Sequence, residues 1–166
     1  IGESLGNFAR RCIEAGADGI FLSVRDDWVG PTVEGVDTYN ELIRPTDRLI
    51  MSGMTEGRFN VLHVCGKAVD FASFADYPMH VINWADRTAG PSIRDVASTL
   101  KPALAAGVNH LTTLRGGTAD QCAAEVRDAI AQAGDRPIII APGCTYDPAG
   151  VPSANLAALR RTVDQL

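Results

Sequence analysis

Apolar and polar positions along the chain switch between two periods, one helical and one extended. Leu5, Phe8, Ala9, Cys12, Ile13 and Gly16 recur at helical spacing, with Ser4 as N-cap and Gly16 as C-cap. Gly19-Ile20-Phe21-Leu22-Ser23-Val24 then reads as a short, nearly all-apolar strand, the kind buried on both faces of a parallel sheet. A loop is expected from Arg25 to Gly35. Tyr39, Leu42 and Ile43 begin a second helix, Pro45 kinks or restarts it, and Leu49 and Ile50 continue it. A second strand covers Asn60 to Cys65 and leaves through Gly66, and Val69 to Phe74 suggests a short helix.

The alternation then repeats. A third strand is expected over His80 to Trp84. Ser92 opens a helix, with Asp95 three residues on as a capping box prefers. A fourth strand is expected over Asn109 to Leu114, then a Gly116-Gly117 turn, with Thr118 as cap and Gln121 as its reciprocal partner. Cys122, Val126, Ala129, Ile130 and Ala133 give the next helix an apolar stripe. Ile138 to Ala141 reads as a fifth strand, ended by Pro142-Gly143-Cys144. A last helix runs from Ser153 to Val163 with Leu156, Leu159 and Val163 inward. Five strands alternating with helices mean a parallel sheet with crossover helices. Two architectures fit: an open doubly wound sheet, or five or so units of a (β/α)8 barrel. A full barrel takes about 250 residues, so a chain of this length holds about five of the eight units. Periodicity does not choose between them.

Composition narrows the function classes. The chain has 166 residues, 46% of them hydrophobic, with 15 Lys+Arg against 20 Asp+Glu and a net charge of -5. That balance argues against a nucleic-acid face, which needs a basic stripe to release counterions. No apolar run reaches the roughly 18 residues of a membrane span. No leader pattern is visible at the start. Four cysteines are too few for a disulfide scaffold. The expectation is a cytoplasmic single domain with thiols free or on a metal. The first residue is Ile1 and the first methionine is Met51, so the chain is expected to be one part of a longer protein.

In both architectures ligands bind beyond the carboxyl ends of the strands. His63 and Cys65 share one face at such an end, because residues i and i+2 of a strand point the same way. Cys144 stands at the corresponding end of the fifth strand. In a closed barrel the three could converge, and one imidazole with two thiolates is a zinc set that leaves a fourth position open. The other reading is a core histidine and two buried thiols. Asp26, Asp27 and Trp28 follow the first strand, where paired carboxylates could serve as acid, base or cation site. Trp84, Asp86 and Arg87 follow the third, offering an aromatic wall and an ion pair at a pocket mouth, or else a surface salt bridge. Arg115-Gly116-Gly117-Thr118 reads as a tight turn before a helix. His80 and His110 read as core or edge histidines, and Cys12 and Cys122 as packing. Tyr146 and Asp147, close after Cys144, could line the site.

His63-Val64-Cys65-Gly66, Ile82-Asn83-Trp84-Ala85-Asp86-Arg87, Ala141-Pro142-Gly143-Cys144 and Pro152-Ser153-Ala154-Asn155-Leu156 together resemble the carboxyl half of the uroporphyrinogen decarboxylase superfamily. Glu14-Ala15-Gly16-Ala17-Asp18-Gly19 adds to the likeness, which spans nearly the whole chain. The resemblance implies a (β/α)8 barrel of which this chain carries about the last five strands. The missing amino-terminal half, or a second chain, would then cover the opening. It also implies one of two chemistries. One branch decarboxylates uroporphyrinogen without metal. The other uses zinc to move methyl groups between a corrinoid and a thiol, and looks like His-x-Cys with a later Gly-Cys, matched here by His63, Cys65 and Cys144. The decarboxylases carry histidine where Cys144 stands. The expectation is therefore a zinc-dependent methyltransferase resembling the methylcobamide:coenzyme M enzymes. It would take methylcobalamin from a corrinoid partner protein, with Trp84, Asp86, Arg87 and Asp26 near the substrate. The alternatives are a decarboxylase and a non-catalytic binder of corrinoid or tetrapyrrole.

Overall fold

The computed structural model describes residues 1–26 and 39–166. Five strands, β1 (Phe21–Arg25), β2 (Val61–Cys65), β3 (Val81–Trp84), β4 (Ala103–Val108) and β5 (Ile138–Pro142), form one parallel sheet in the order β1-β2-β3-β4-β5. The order never reverses. A doubly wound sheet needs a reversal, the topological switch point, whereas a barrel adds each strand beside the last. The strand order therefore decides for the partial barrel. The chain forms two compact units, Ile1–Val81 and Ile82–Leu166.

In the first unit, α1 (Gly2–Glu14) packs on α2 (Arg44–Ser52). The buried face of α1 is Gly2, Gly6 and Ala9, while Leu5 and Phe8 are exposed. Apolar spacing alone favoured the larger side chains, but small residues let α2 come close, with the Leu49 backbone directly over Gly6. Ser4 lies inside α1, whose N-cap is Ile1, and Gly16 stands one residue past the C-cap with φ +105°. A π-helical turn (Tyr39–Ile43) leads into α2, and Pro45 sits in its first turn, where its missing N–H costs nothing. The Val69–Phe74 helix is a 3₁₀ turn over Phe71–Phe74. Beneath it lies a buried polar triad: the Tyr39 and Tyr77 hydroxyls are 2.7 Å apart, and Tyr77 donates to Asp47 Oδ2 at 2.7 Å. Arg44 lies over both rings and binds Asp76 and the Ser73 carbonyl.

The second unit contains α3 (Ile93–Val96), α4 (Thr113–Gly116), α5 (Ala119–Ala133) and α6 (Ser153–Asp164). Both expected capping boxes, Ser92 with Asp95 and Thr118 with Gln121, form. Cys122 and Val126 of α5 join Val108, Leu114, Val151 and Ala158 in the core. On α6 the buried residues are Asn155, Ala158 and Thr162; Leu159 is half-buried and Leu156 and Val163 are exposed, so the inward face is one residue off the expected one. The fourth strand is also displaced. It is Ala103–Val108, not Asn109–Leu114. Asn109 Oδ1 accepts from the Leu111 and Thr112 backbone N–H groups, an Asx turn that ends the strand before the β-branched run begins. Alanines are poor strand formers in isolation, but this strand is almost wholly buried, where small side chains fit.

Candidate metal centre

Strand β2 carries its side chains alternately. Leu62 and Val64 bury themselves beside Leu22 and Val24 of β1, and His63 and Cys65 turn to the other face, in register with Ser23 and Arg25. His63 is 5% exposed and Cys65 is half-buried at the carboxyl end. The Phe21 ring stacks on the His63 imidazole at 5.9 Å between centroids and 25° between planes. Arg25, the last residue of β1 and not the start of a loop, brings its Nη1 to 3.9 Å from Cys65 Sγ. The Asp26 backbone N–H donates to the Cys65 carbonyl at 3.0 Å. Its carboxylate is buried against Gly66: a Cβ there would fall 1.4 Å from Asp26 Oδ1, so only glycine leaves room. Asp27 and Trp28 lie outside the described residues.

Cys144 is held by the end of β5. Val108 and Pro142 are in register, and the next N–H, that of Gly143, donates to the Val108 carbonyl at 3.1 Å. Asn83 Nδ2 donates to the carbonyls of Ala105 (2.7 Å), in the middle of β4, and Pro142 (3.2 Å), at the end of β5, joining β3 to both. Gly143 lies against Ala85 so closely that a Cβ would come 2.5 Å from its Cα. Cys144 follows directly and is half-buried. Among the described residues, one imidazole and two thiols, those of His63, Cys65 and Cys144, are the donors that could hold a metal ion. Their chemistry fits zinc, which takes nitrogen and sulfur ligands and keeps a position open when the protein supplies three.

The residues after β3 have other attachments. Trp84 is fully buried and its indole N–H donates to the Pro91 carbonyl at 2.8 Å. Asp86 Oδ1 accepts from the Gly107 N–H at 3.0 Å, and Oδ2 is 3.2 Å from Arg87 Nε. Arg87 donates in turn to the carbonyls of Gly107 and Glu125 and to the Asp128 carboxylate. The ion pair expected at a pocket mouth, or else as a surface salt bridge, is a partly buried clamp that ties the exit of β3 to β4 and α5. Burial pushes the Asp86 carboxyl above the ordinary range, opposed by the Gly107 N–H and by Arg87. The hydrogen bond from Arg87 holds Asp128 below it. Tyr146 packs on the core of the second unit, and Asp147 caps the 3₁₀ turn Pro148–Gly150. Sequence reasoning passed over Arg25 and Phe21. The signal was available in the alternation of β1, which sets Phe21, Ser23 and Arg25 on the face opposite to Leu22 and Val24.

The family model of uroporphyrinogen decarboxylase (URO-D) matches residues 1–166. The chain belongs to the uroporphyrinogen decarboxylase family. Two solved structures share its fold. A methyltransferase from Methanosarcina mazei superposes with a TM-score of 0.77 at 24% identity, over 99% of this chain and 47% of that one. A B12-independent methionine synthase from Shewanella sp. W3-18-1, in complex with selenomethionine, gives a TM-score of 0.66 at 13% identity, over 99% and 53%. This URO-D family chain spans about half the length of each. No curated protein sequence matches it significantly. Two residues in the segments that carry the family likeness have structural work: Asn83 ties β3 to β4 and β5, and Asn155 Nδ2 donates to the carbonyls of Leu114 (3.0 Å) and Gly117 (2.9 Å). Among the described residues no helix is long and apolar enough to cross a membrane.

Proposed function

We propose that this chain belongs to a cytoplasmic, zinc-dependent methyltransferase that passes a methyl group from a corrinoid to a thiol, with zinc on His63, Cys65 and Cys144. The observation that carries the reading is the donor set of one imidazole and two thiols at strand ends of a URO-D family fold. The shared fold with the Methanosarcina methyltransferase supports it. Three protein ligands leave a position for the acceptor, and zinc, when bound, supplies the Lewis acidity that deprotonates a coordinated thiol.

The chain's own residues fix the donors. Phe21 stacks on the His63 ring and so sets the plane of its nitrogens. The Asp26 N–H and the Gly66 contact hold the backbone at Cys65, and the Gly143 N–H does the same beside Cys144. The corrinoid is expected on a partner protein at the carboxyl ends of the strands, with the rest of the barrel supplied by other residues of the protein or by a second chain. Asp86 and Arg87 shape that mouth through the clamp they form, Trp84 through its buried place at the end of β3, and Asp26 lies beside Cys65.

The test is metal content of the intact protein purified without chelator or nickel, followed by assay with methylcobalamin and a panel of thiols. About one zinc per chain is expected, with Cys144→Ala losing both metal and methyl transfer. A folded protein without zinc that decarboxylates uroporphyrinogen, or full activity in Cys144→Ala, overturns the reading.

A further inference from the structure

Resting on the metal reading, we propose that Arg25 protects the Cys65 ligand, holding its sulfur in place and weakening it as a nucleophile so that alkylation falls on the acceptor. A methyltransferase built on thiolate ligands has an internal hazard. Its own ligand sulfurs are nucleophiles and compete with the acceptor for the methyl group. A donor aimed at a ligand sulfur draws electron density from it and lowers that competition, and partners of this kind orient and tune metal ligands.

Arg25 is built for that role. It ends β1 in register with Cys65, so the two side chains leave adjacent strands on the same face. Its Nη1 reaches to 3.9 Å from Cys65 Sγ. A guanidinium stays charged at all working pH values and its planar fork spreads several donors. The next residue anchors it: Asp26 is bonded through its N–H to the Cys65 carbonyl and wedged against Gly66, so Arg25 cannot drift along the strand. Arg25 is itself exposed and sits outside the buried stripe of Leu22 and Val24, so packing does not require a cation at this position. Phe21, two turns of the alternation earlier, covers His63 in the same way. One face of one strand thus attends to both donors of β2.

The test compares zinc-loaded intact protein, wild type, Arg25→Leu and Arg25→Lys, treated with methyl iodide. The sulfur displaces iodide and forms the S–C bond, and the methylated cysteine is mapped by mass spectrometry. The Cys12 rate is the internal reference. Arg25→Leu should methylate Cys65 about tenfold faster with Cys12 unchanged, the low end of the roughly 10–100-fold by which partners of metal ligands tune affinity or activity. Arg25→Lys, which keeps the charge, should return most of the protection. Equal Cys65 rates in wild type and Arg25→Leu overturn the inference and leave the metal reading standing. Wild-type protein that takes up no zinc overturns both.

Discussion

Gly66 decides how much of the site a single residue can control. Its Cα faces the buried Asp26 carboxylate with no room for a methyl group. Gly66→Ala should therefore cost about 1–3 kcal/mol, as overpacking does. Adding Asp26→Ala should recover most of it; urea denaturation of the two variants measures both. A single variant as stable as wild type would mean the carboxylate has somewhere else to go. The donors themselves were legible in the sequence, because His63 and Cys65 need only the two-residue period of a strand to share a face. Their neighbours were not. Arg25 reaches Cys65 through the register between two strands 40 residues apart, and register is a property of pairing that one strand's pattern does not contain. The clamp at Asp86 and Arg87 was hidden for the same reason, since its partners Gly107, Glu125 and Asp128 come from β4 and α5.

Elements were readable where local chemistry sets their ends. Thr118 with Gln121 and Ser92 with Asp95 are capping pairs fixed by spacing alone, and both form. Reading failed where packing outweighs preference. Ala103–Val108 is a strand because it is buried, and Asn109 ends it with a side-chain turn although Leu111, Thr112 and Thr113 look like strand formers. The inward faces of α1 and α6 were misread because small or polar residues hold them, not leucines. On α6 the buried Asn155 ties the helix to α4 and its turn through two carbonyls. Asn155→Ala leaves both without their donor and should cost about 1–3 kcal/mol, read as a lower urea midpoint at unchanged slope. Asn155→Asp removes the same donor while keeping the shape, so it should be no better than alanine.

At the scale of the whole molecule, the buried carboxyls of Asp47 and Asp86 each contribute to the response to pH. Burial raises Asp47, opposed by hydrogen bonds from Tyr77 and Tyr39 and by Arg44, and burial raises Asp86. A raised value means the folded state binds the proton more tightly than the unfolded one. The stability it contributes is complete below the ordinary value of about 4 and is lost as pH rises through the folded value. Urea midpoints measured from pH 4 upward should thus fall less steeply in Asp47→Asn than in wild type; parallel curves would show that Asp47 titrates normally.

The unreversed strand order has a consequence for synthesis. From β2 onward, each strand emerges when the preceding strand in the sheet has already left the ribosome, since the sheet order is the order of translation. Arg25 precedes Cys65 by 40 residues, a delay of a few seconds at about 5–20 residues per second. Elementary chain motions take about 10 nanoseconds to 100 microseconds. The nascent chain can therefore lay down its sheet one strand at a time, and Arg25 of β1 meets Cys65 only when β2 arrives to fix the register.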